Sequence, residues 1–108
     1  MHDFDFQAPA TLTDALALLA EQNGNARPLA GGTDLIDHVR MGRLKPNVVV
    51  DLKKLDELNV LSVDADGLRL GAAVPCYKIY SHPEIVKNYS ALADSCHIIG
   101  GIQIQSRA

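Results

Sequence analysis

Apolar positions recur in two different periods along the first thirty residues, first every second residue and then with helical spacing. Phe4 and Phe6 are each flanked by polar residues, which predicts a short, half-buried strand. A helix is predicted next, because Thr11 and Asp14 form a capping box and Gly24 suits a left-handed helix end. The apolar face predicted for this helix consists of Leu12, Ala15, Leu16 and Leu19.

A second strand, a glycine turn and a second helix follow. Residues 26–30 form a brief apolar segment that leads into Gly31 and Gly32. Helical spacing then appears at Leu35, Ile36 and Val39. The segment VVVDL at 48–52, with its β-branched run of valines, is typical of a strand covered on both faces. This order predicts a small α/β lobe with mainly parallel strands at residues 1–57.

The remaining residues, 58–108, are predicted to begin a second lobe. Residues 60–65 and 68–70 alternate in period two on either side of Asp66 and Gly67, which predicts a β-hairpin. The fold class expected for the whole chain is therefore α/β (α+β).

Helices are predicted after the hairpin. Pro75 suits a first helical position, and a later helix is expected to begin behind a Ser90 cap and to end at Gly100. Its apolar face would carry Leu92, Cys96 and Ile99. Ile102 and Ile104 alternate with glutamines, which predicts a strand or an extended loop at the end of the chain.

Composition excludes several function classes. The chain has 108 residues, 47% of them hydrophobic, and a net charge of −3, so it can bury a core but has no field to gather nucleic acid. It also lacks an apolar run of about 18 residues and a basic leader followed by an apolar stretch. We therefore expect a cytoplasmic protein with no nucleic-acid or membrane partner.

No metal site or catalytic side chain is predicted. Cys76 and Cys96 are expected to be buried free thiols, because they lack the spacing of zinc ligands and nothing indicates an oxidising compartment. The four histidines are scattered, without a cysteine or carboxylate at a spacing that would prepare a nucleophile or hold a metal.

The glycine turn is the strongest candidate for a binding site. Backbone N–H groups at a helix start are unpaired, and adjacent glycines let an anion approach them. Thr33 adds a hydroxyl donor, while Asp34 offers a helix cap or an acceptor for a ribose hydroxyl. Taken alone, two glycines before a helix more often serve only to reverse the chain. The turn matches neither the Rossmann nor the P-loop motif.

Two charged segments are given structural roles. Arg40, Arg43 and Lys45 form a small basic patch, for which complementing the negative end of the second helix is favoured over partner binding. The mixed charges of residues 53–57 are interpreted as a solvated turn.

The whole chain resembles the FAD-binding medium subunits of the molybdenum hydroxylases, the carbon monoxide dehydrogenase and xanthine dehydrogenase family. Five blocks in order carry the resemblance: FDFQAPATLTDALALL, ARPLAGGTDL, PNVVVDLKKLDEL, LRLGAAVPCYKI and GGIQIQSRA. The resemblance implies the FAD-binding fold of vanillyl-alcohol oxidase and p-cresol methylhydroxylase, in which FAD lies between two lobes.

The same resemblance implies a cofactor site. It places five residues in the first of two glycine-rich pyrophosphate loops: Ala30, Gly31, Gly32, Thr33 and Asp34. The family's second loop follows a QIRNRG-like segment, whereas here Gln105 replaces the arginine and Ala108 the glycine. The second loop lies beyond Ala108, so we expect FAD binding by this chain alone to be weak or absent.

The resemblance also implies partners and an activity. Substrate oxidation would occur at a molybdenum cofactor in another subunit, and electrons would pass through iron–sulfur clusters of a partner subunit to FAD and then to an external acceptor. The alternative is a non-enzymatic binding or assembly module without stable flavin. Self-association into a homo-oligomer is a further expectation, because such a chain would expose apolar surface.

Overall fold

The computed structural model describes residues 2–21 and 23–108, and the chain divides into two compact units, Met1–Glu57 and Leu58–Ala108. The first unit is a small α/β unit. Its elements are β1 (Asp5–Gln7), α1 (Leu12–Glu21), β2 (Ala26–Leu29), α2 (Leu35–Arg40) and β3 (Val48–Asp51). A 3-10 turn at Asp56–Leu58 follows β3.

The three strands form one parallel sheet in the order β1-β3-β2. Val48 pairs with Asp5 on one side and with Ala26 on the other, and the register continues to Leu29 opposite Asp51. All four residues of β3 are buried. A continuous β-branched run suits such a central strand, because both of its faces are covered and both of its edges are hydrogen-bonded. The predicted parallel arrangement is confirmed.

Helix α1 packs against β2 and β3, and its predicted cap is present. The Asp14 N–H donates to Thr11 Oγ1 at 3.2 Å. The apolar face is narrower than predicted, because Ala15 is buried whereas Leu16 is 58% exposed. A small residue at the point of closest approach brings the helix near the sheet, and its neighbour one position on then points away.

The edge strand β1 is confirmed, but the predicted half-burial is wrong at Phe6, which is 53% exposed. Among the described residues, β1 is an edge strand that pairs only with β3. The side chain of Phe6 therefore has no neighbouring strand on its other side to cover it.

The second unit contains the predicted hairpin and a group of short helices. Strands β4 and β5 pair antiparallel from Leu61–Leu70 to Asp64–Gly67, and Gly67 has φ +121° at the turn. The elements of this unit are β4 (Leu61–Asp64), β5 (Gly67–Leu70), α3 (Cys76–Tyr80), α4 (Pro83–Asn88), α5 (Ser90–His97) and α6 (Ile102–Gln105). The buried core of the unit consists of Val74, Cys76, Ile79, Ile85, Ala93 and Cys96.

Two helix starts differ from prediction. Pro75 precedes α3 in an extended conformation and is not its first helical residue, whereas Pro83 begins α4. Ser90 is the first residue of α5 and not its cap, because α4 and α5 are separated only by Tyr89. The carbonyl of Tyr89 already accepts the N–H groups of Leu92 and Ala93.

The end of the chain is a helical turn and not a strand or an extended loop. Helix α5 ends at His97, so Ile99 and Gly100 lie beyond it. Gln105 is buried in α6, and its side-chain amide donates to the carbonyl of His97 at 2.7 Å. This hydrogen bond satisfies a carbonyl at the end of α5, which a strand with the same alternation of isoleucine and glutamine would leave unpaired.

Candidate functional site

The predicted glycine loop lies at the carboxyl end of the parallel sheet. Residues 30–34 connect the end of β2 to the start of α2. Hydrogen bonding between β2 and the segment after β3 continues to the root of this loop, because the Leu52 N–H donates to the Leu29 carbonyl at 2.9 Å. Ligands of open α/β sheets bind at this end of the strands, outside their carboxyl termini.

Gly32 fixes the path of the loop. Its φ is +77°, in the left-handed region that side chains disfavour. A Cβ at this position would lie 3.0 Å from Leu29 Cδ1 and 3.1 Å from Ile36 Cγ1, so the residues before and after the loop leave little room for one. The Gly32 carbonyl accepts the Ile36 N–H at 3.2 Å, which ties the loop to α2. The structure therefore requires a glycine here.

The loop has several backbone donors without an internal acceptor. Within residues 2–21 and 23–108, no carbonyl or side chain accepts a hydrogen bond from the N–H groups of Gly31, Gly32, Thr33 or Asp34. In contrast to these N–H groups, the Asp34 carbonyl has a hydrogen-bond partner, because it accepts the His38 N–H at 2.9 Å. Successive N–H groups around a left-handed residue form a concavity that binds anions. The loop thus offers four donors and no positive side chain.

The two polar side chains of the loop are placed differently. Thr33 is half-buried, and its hydroxyl makes no hydrogen bond to any residue that the structure describes. Asp34 is exposed and occupies the N-cap position of α2, but its carboxylate makes no cap hydrogen bond. Of the two roles predicted for Asp34, helix capping is therefore wrong.

Lys53, which lies two residues beyond the end of β3, supports the loop. Its Nζ donates to the Ala30 carbonyl at 3.2 Å and to Asp51 Oδ1 at 2.6 Å. The same carboxylate oxygen accepts the Lys53 backbone N–H at 3.0 Å. The Asp51 side chain is therefore held in place at the end of β3, and through the ammonium group it holds the first residue of the loop.

Asp51 remains charged in this position. Burial raises the pKa of its carboxyl group, but the side-chain and backbone hydrogen bonds from Lys53 and the positive charges of Lys53 and Lys54 outweigh that effect. The net result is a pKa below the ordinary aspartate value.

Residues 53–57 were predicted to be a solvated turn, which did not reveal that Lys53 supports the glycine loop. The available signal was an aspartate at the end of a buried strand followed two residues later by a lysine, because an aspartate side chain often accepts the backbone N–H two residues on. The Ala30 contact itself joins residues 23 positions apart, so sequence spacing does not reveal it.

The cysteines and histidines are the other candidate side chains that the sequence offered for chemistry. Cys76 and Cys96 are buried free thiols. Burial raises the pKa of Cys96 to about 11, and the neighbouring Cys76 contributes in the same direction. Among the described residues, no three histidine, cysteine or acidic side chains converge to hold a metal ion. The longest helix among the described residues, α1, has 10 residues, which is too few to span a membrane.

The chain is similar to flavin subunits of known oxidoreductases. It is 38% identical over 108 residues to the nicotinate dehydrogenase FAD-subunit of Eubacterium barkeri, an alignment that covers 98% of this chain and 36% of the relative. It is 34% identical over 110 residues to the putative xanthine dehydrogenase FAD-binding subunit of Escherichia coli K12, covering 100% of this chain and 37% of the relative. The chain thus spans little more than a third of the length of these relatives.

Solved structures share the fold over nearly the whole chain. Carbon monoxide dehydrogenase from Hydrogenophaga pseudoflava matches with a TM-score of 0.92 at 25% identity, covering 97% of this chain and 37% of that one. Quinoline 2-oxidoreductase from Pseudomonas putida 86 matches with a TM-score of 0.91 at 27% identity, covering 98% of this chain and 37% of that one. The predicted α/β fold class is confirmed.

A family model described as "FAD binding domain in molybdopterin dehydrogenase" matches residues 2–108. This match spans both units and includes the glycine loop, and it agrees with the relatives and the solved structures. The chain therefore belongs to the family of FAD-binding domains of molybdopterin dehydrogenases.

Proposed function

We propose that residues 30–34 bind the pyrophosphate of FAD, and that the chain is the flavin-binding part of a molybdenum-dependent hydroxylase or dehydrogenase. The observation that carries this proposal is the set of four backbone N–H groups, at Gly31 to Asp34, that have no acceptor among the described residues. A diphosphate supplies several oxygen acceptors in a small volume, so its shape and charge suit four adjacent donors.

Binding by backbone groups suits this loop for a physical reason. The donors are positioned before the ligand arrives, because Gly32 is constrained by α2 and Ala30 by Lys53. No flexible cationic side chain has to be ordered, so the loss of side-chain entropy on binding is small. The loop itself has one charged side chain, Asp34, and its carboxylate is free of a cap hydrogen bond. We propose that it accepts a hydrogen bond from a ribose hydroxyl, because direct contact with a phosphate would be repulsive.

In this proposal the chain binds and orients the cofactor, and it supplies no acid or base to the reaction. Bound FAD would supply the capacity to accept electrons and pass them on. The residues of the loop would contact the pyrophosphate, which lies between the redox-active ring and the adenosine, so their contribution is affinity and position. For this reason we assign no catalytic side chain.

We further propose that the full-length gene product works with two partner subunits. One would hold the molybdenum cofactor and oxidise the substrate, and the other would hold iron–sulfur clusters that relay electrons to FAD, from which they leave to an external acceptor. Support comes from the family and from relatives named as the FAD-subunit of nicotinate dehydrogenase and the medium chain of carbon monoxide dehydrogenase. Purification of the full-length gene product from its source tests this directly, because the partners should co-purify with it.

The test of flavin binding uses two proteins, the 108-residue chain and the full-length gene product. We expect the full-length protein to retain the visible absorption of FAD after gel filtration, and the short chain to bind FAD weakly or not at all. A full-length protein that folds but takes up no FAD would contradict the proposal. That result would favour the alternative, a binding or assembly module without flavin.

A further inference from the structure

A second concavity lies at the opposite, amino end of the parallel sheet. Its volume is about 150 Å³, and it is lined by residues 43–46, which lead into β3, and by Gly24, Asn25 and Arg27 around the start of β2. The Asn47 N–H donates to the Asn25 carbonyl at 2.8 Å, which joins the two walls. We refer to this concavity as the basic pocket.

Three cationic residues line the basic pocket: Arg27, Arg43 and Lys45. The Arg27 guanidinium is oriented by two backbone carbonyls, since Nη1 donates to Gly24 O at 2.6 Å and to Ala26 O at 3.2 Å. Its other N–H groups remain available, because a guanidinium has five. Among the residues that the structure describes, none of the three cations forms an ion pair with a carboxylate.

Three cations that only stabilised the fold would be expected to pair with carboxylates, and among the described residues these do not. Like charges around one concavity repel each other, and an anion placed between them removes that repulsion. Helix capping, the role that the sequence favoured for Arg43 and Lys45, does not explain why Arg27 lines the same pocket. The pairing of β2 with β3 brings it there from 16 residues before Arg43.

Size and chemistry together define the class of ligand. Pockets for organic ligands usually measure about 300–1,000 Å³, so a pocket of about 150 Å³ suits a much smaller group. The planar fork of arginine matches the oxygens of phosphate in a bidentate manner, and lysine adds a compact positive charge. We infer that the basic pocket binds a tetrahedral oxyanion, either as free inorganic phosphate or as the phosphate group of a larger molecule.

The basic pocket is distinct from the glycine loop. The two lie at opposite ends of β2, and the strand alone separates its first and last residues by roughly 10 Å. They also use different groups, side-chain cations at one end and backbone N–H groups at the other. The inference therefore does not depend on flavin binding.

The experiment is a titration of the chain with inorganic phosphate at constant ionic strength, followed by ¹H–¹⁵N NMR. We expect saturable shifts of the backbone amides of Gly24 and Asn25 and of the Arg27 side chain. The double variant Arg43→Gln/Lys45→Gln should weaken phosphate binding by at least about tenfold, because charge-assisted hydrogen bonds are among the stronger ones. The control Arg40→Gln/Lys87→Gln removes the same charge from exposed positions outside the pocket and should bind as the parent does.

Three further measurements complete the test. Titration with glycerol 3-phosphate distinguishes the two sources: an affinity similar to that for phosphate indicates a phosphate group of a larger molecule, and a much weaker one indicates the free ion. If the double variant does not fold, each single substitution gives the same test with a smaller loss. Gly32→Ala should leave phosphate binding at the basic pocket, followed at the amides of Gly24 and Asn25, unchanged. Shifts of these amides that do not saturate, an equal loss in the charge-matched control, or their loss in Gly32→Ala would overturn the inference.

Discussion

The two ends of the parallel sheet present different groups to an anion. At the carboxyl end, residues 30–34 provide backbone N–H groups whose positions depend on Gly32. At the amino end, the basic pocket provides the charges of Arg27, Arg43 and Lys45. The first arrangement depends on the shape of the main chain and the second on net charge. The two should therefore respond differently to a methyl group and to salt.

The largest effect is expected from a methyl group at Gly32. In Gly32→Ala the new Cβ would lie 3.0 Å from Leu29 Cδ1 at a φ of +77°, so the loop must move and its donors with it. We expect the Kd for FAD of the full-length gene product to rise by about tenfold or more, the effect of losing one to two good hydrogen bonds. Isothermal titration calorimetry measures this change.

Gly42→Ala is the matched control for that substitution. Gly42 also has a left-handed φ, +73°, but a Cβ there would meet no atom within 4 Å. Both variants should lose a similar amount of stability from backbone strain, and only Gly32→Ala should lose affinity for FAD. Equal affinities in the two variants would remove the distinction between the loop and an ordinary glycine turn.

The next largest effect is expected from salt, which should change anion affinity differently at the two ends of the sheet. Raising sodium chloride from about 20 to about 200 mM shortens the Debye length about threefold and screens exposed charges strongly. Phosphate affinity at the basic pocket should fall by about fivefold, because exposed Arg43 and Lys45 supply the attraction. FAD affinity at the loop should change by less than about twofold, since its donors carry no net charge. The same fall at both sites would refute a difference in mechanism.

A smaller effect is expected from Lys53. Lys53→Met removes the ammonium group that donates to the Ala30 carbonyl, so the first residue of the loop loses one constraint. We expect a loss of about threefold in FAD affinity, in line with a partly exposed charged contact. Lys54→Met is the control, because Lys54 is exposed and affects Asp51 only through its charge. If both variants bind FAD as the parent does, Lys53 does not position the loop.

The smallest effect is expected on stability at low pH, through the contact between Asp51 and Lys53. The pKa of Asp51 is lowered in the folded protein, so its contact with Lys53 adds stability above the ordinary aspartate pKa of 3.8 and loses it as pH falls through the lower folded value. The expected contribution is below about 1 kcal/mol, because Lys53 is partly exposed. Urea denaturation of the parent and of Asp51→Asn should show a stability difference at pH 6 that shrinks towards pH 3. A difference that does not change with pH would rule out the charged pair as its source.

Much of the first unit was predictable, since its signals are local. The β-branched run of β3 can satisfy its backbone and bury both faces only in the middle of a sheet. The turn before α2 needs a left-handed residue, and Gly32 has that conformation. The sequence therefore indicated the parallel sheet, while the role of its glycine loop stays a prediction until flavin binding is measured.

The errors and omissions depend on contacts between distant residues. The alternation of residues 102–105 predicts a strand, but the hydrogen bond from Gln105 to the His97 carbonyl favours a helical turn. Arg27 and Arg43 share a pocket only because β2 pairs with β3. Lys53 reaches the Ala30 carbonyl by the same pairing. Periodicity along a chain carries no information about such partners.

In the proposed function, the backbone amides of Gly31 to Asp34 bind the pyrophosphate of FAD. The most direct measurement is a ¹H–¹⁵N NMR titration of the isotopically labelled full-length gene product with FAD, in which these four amides are followed individually. We predict saturable downfield shifts of these proton resonances, as expected for new hydrogen bonds to phosphate oxygens, with Gly42 unaffected. Tight binding of FAD with no change at these four amides would contradict the account.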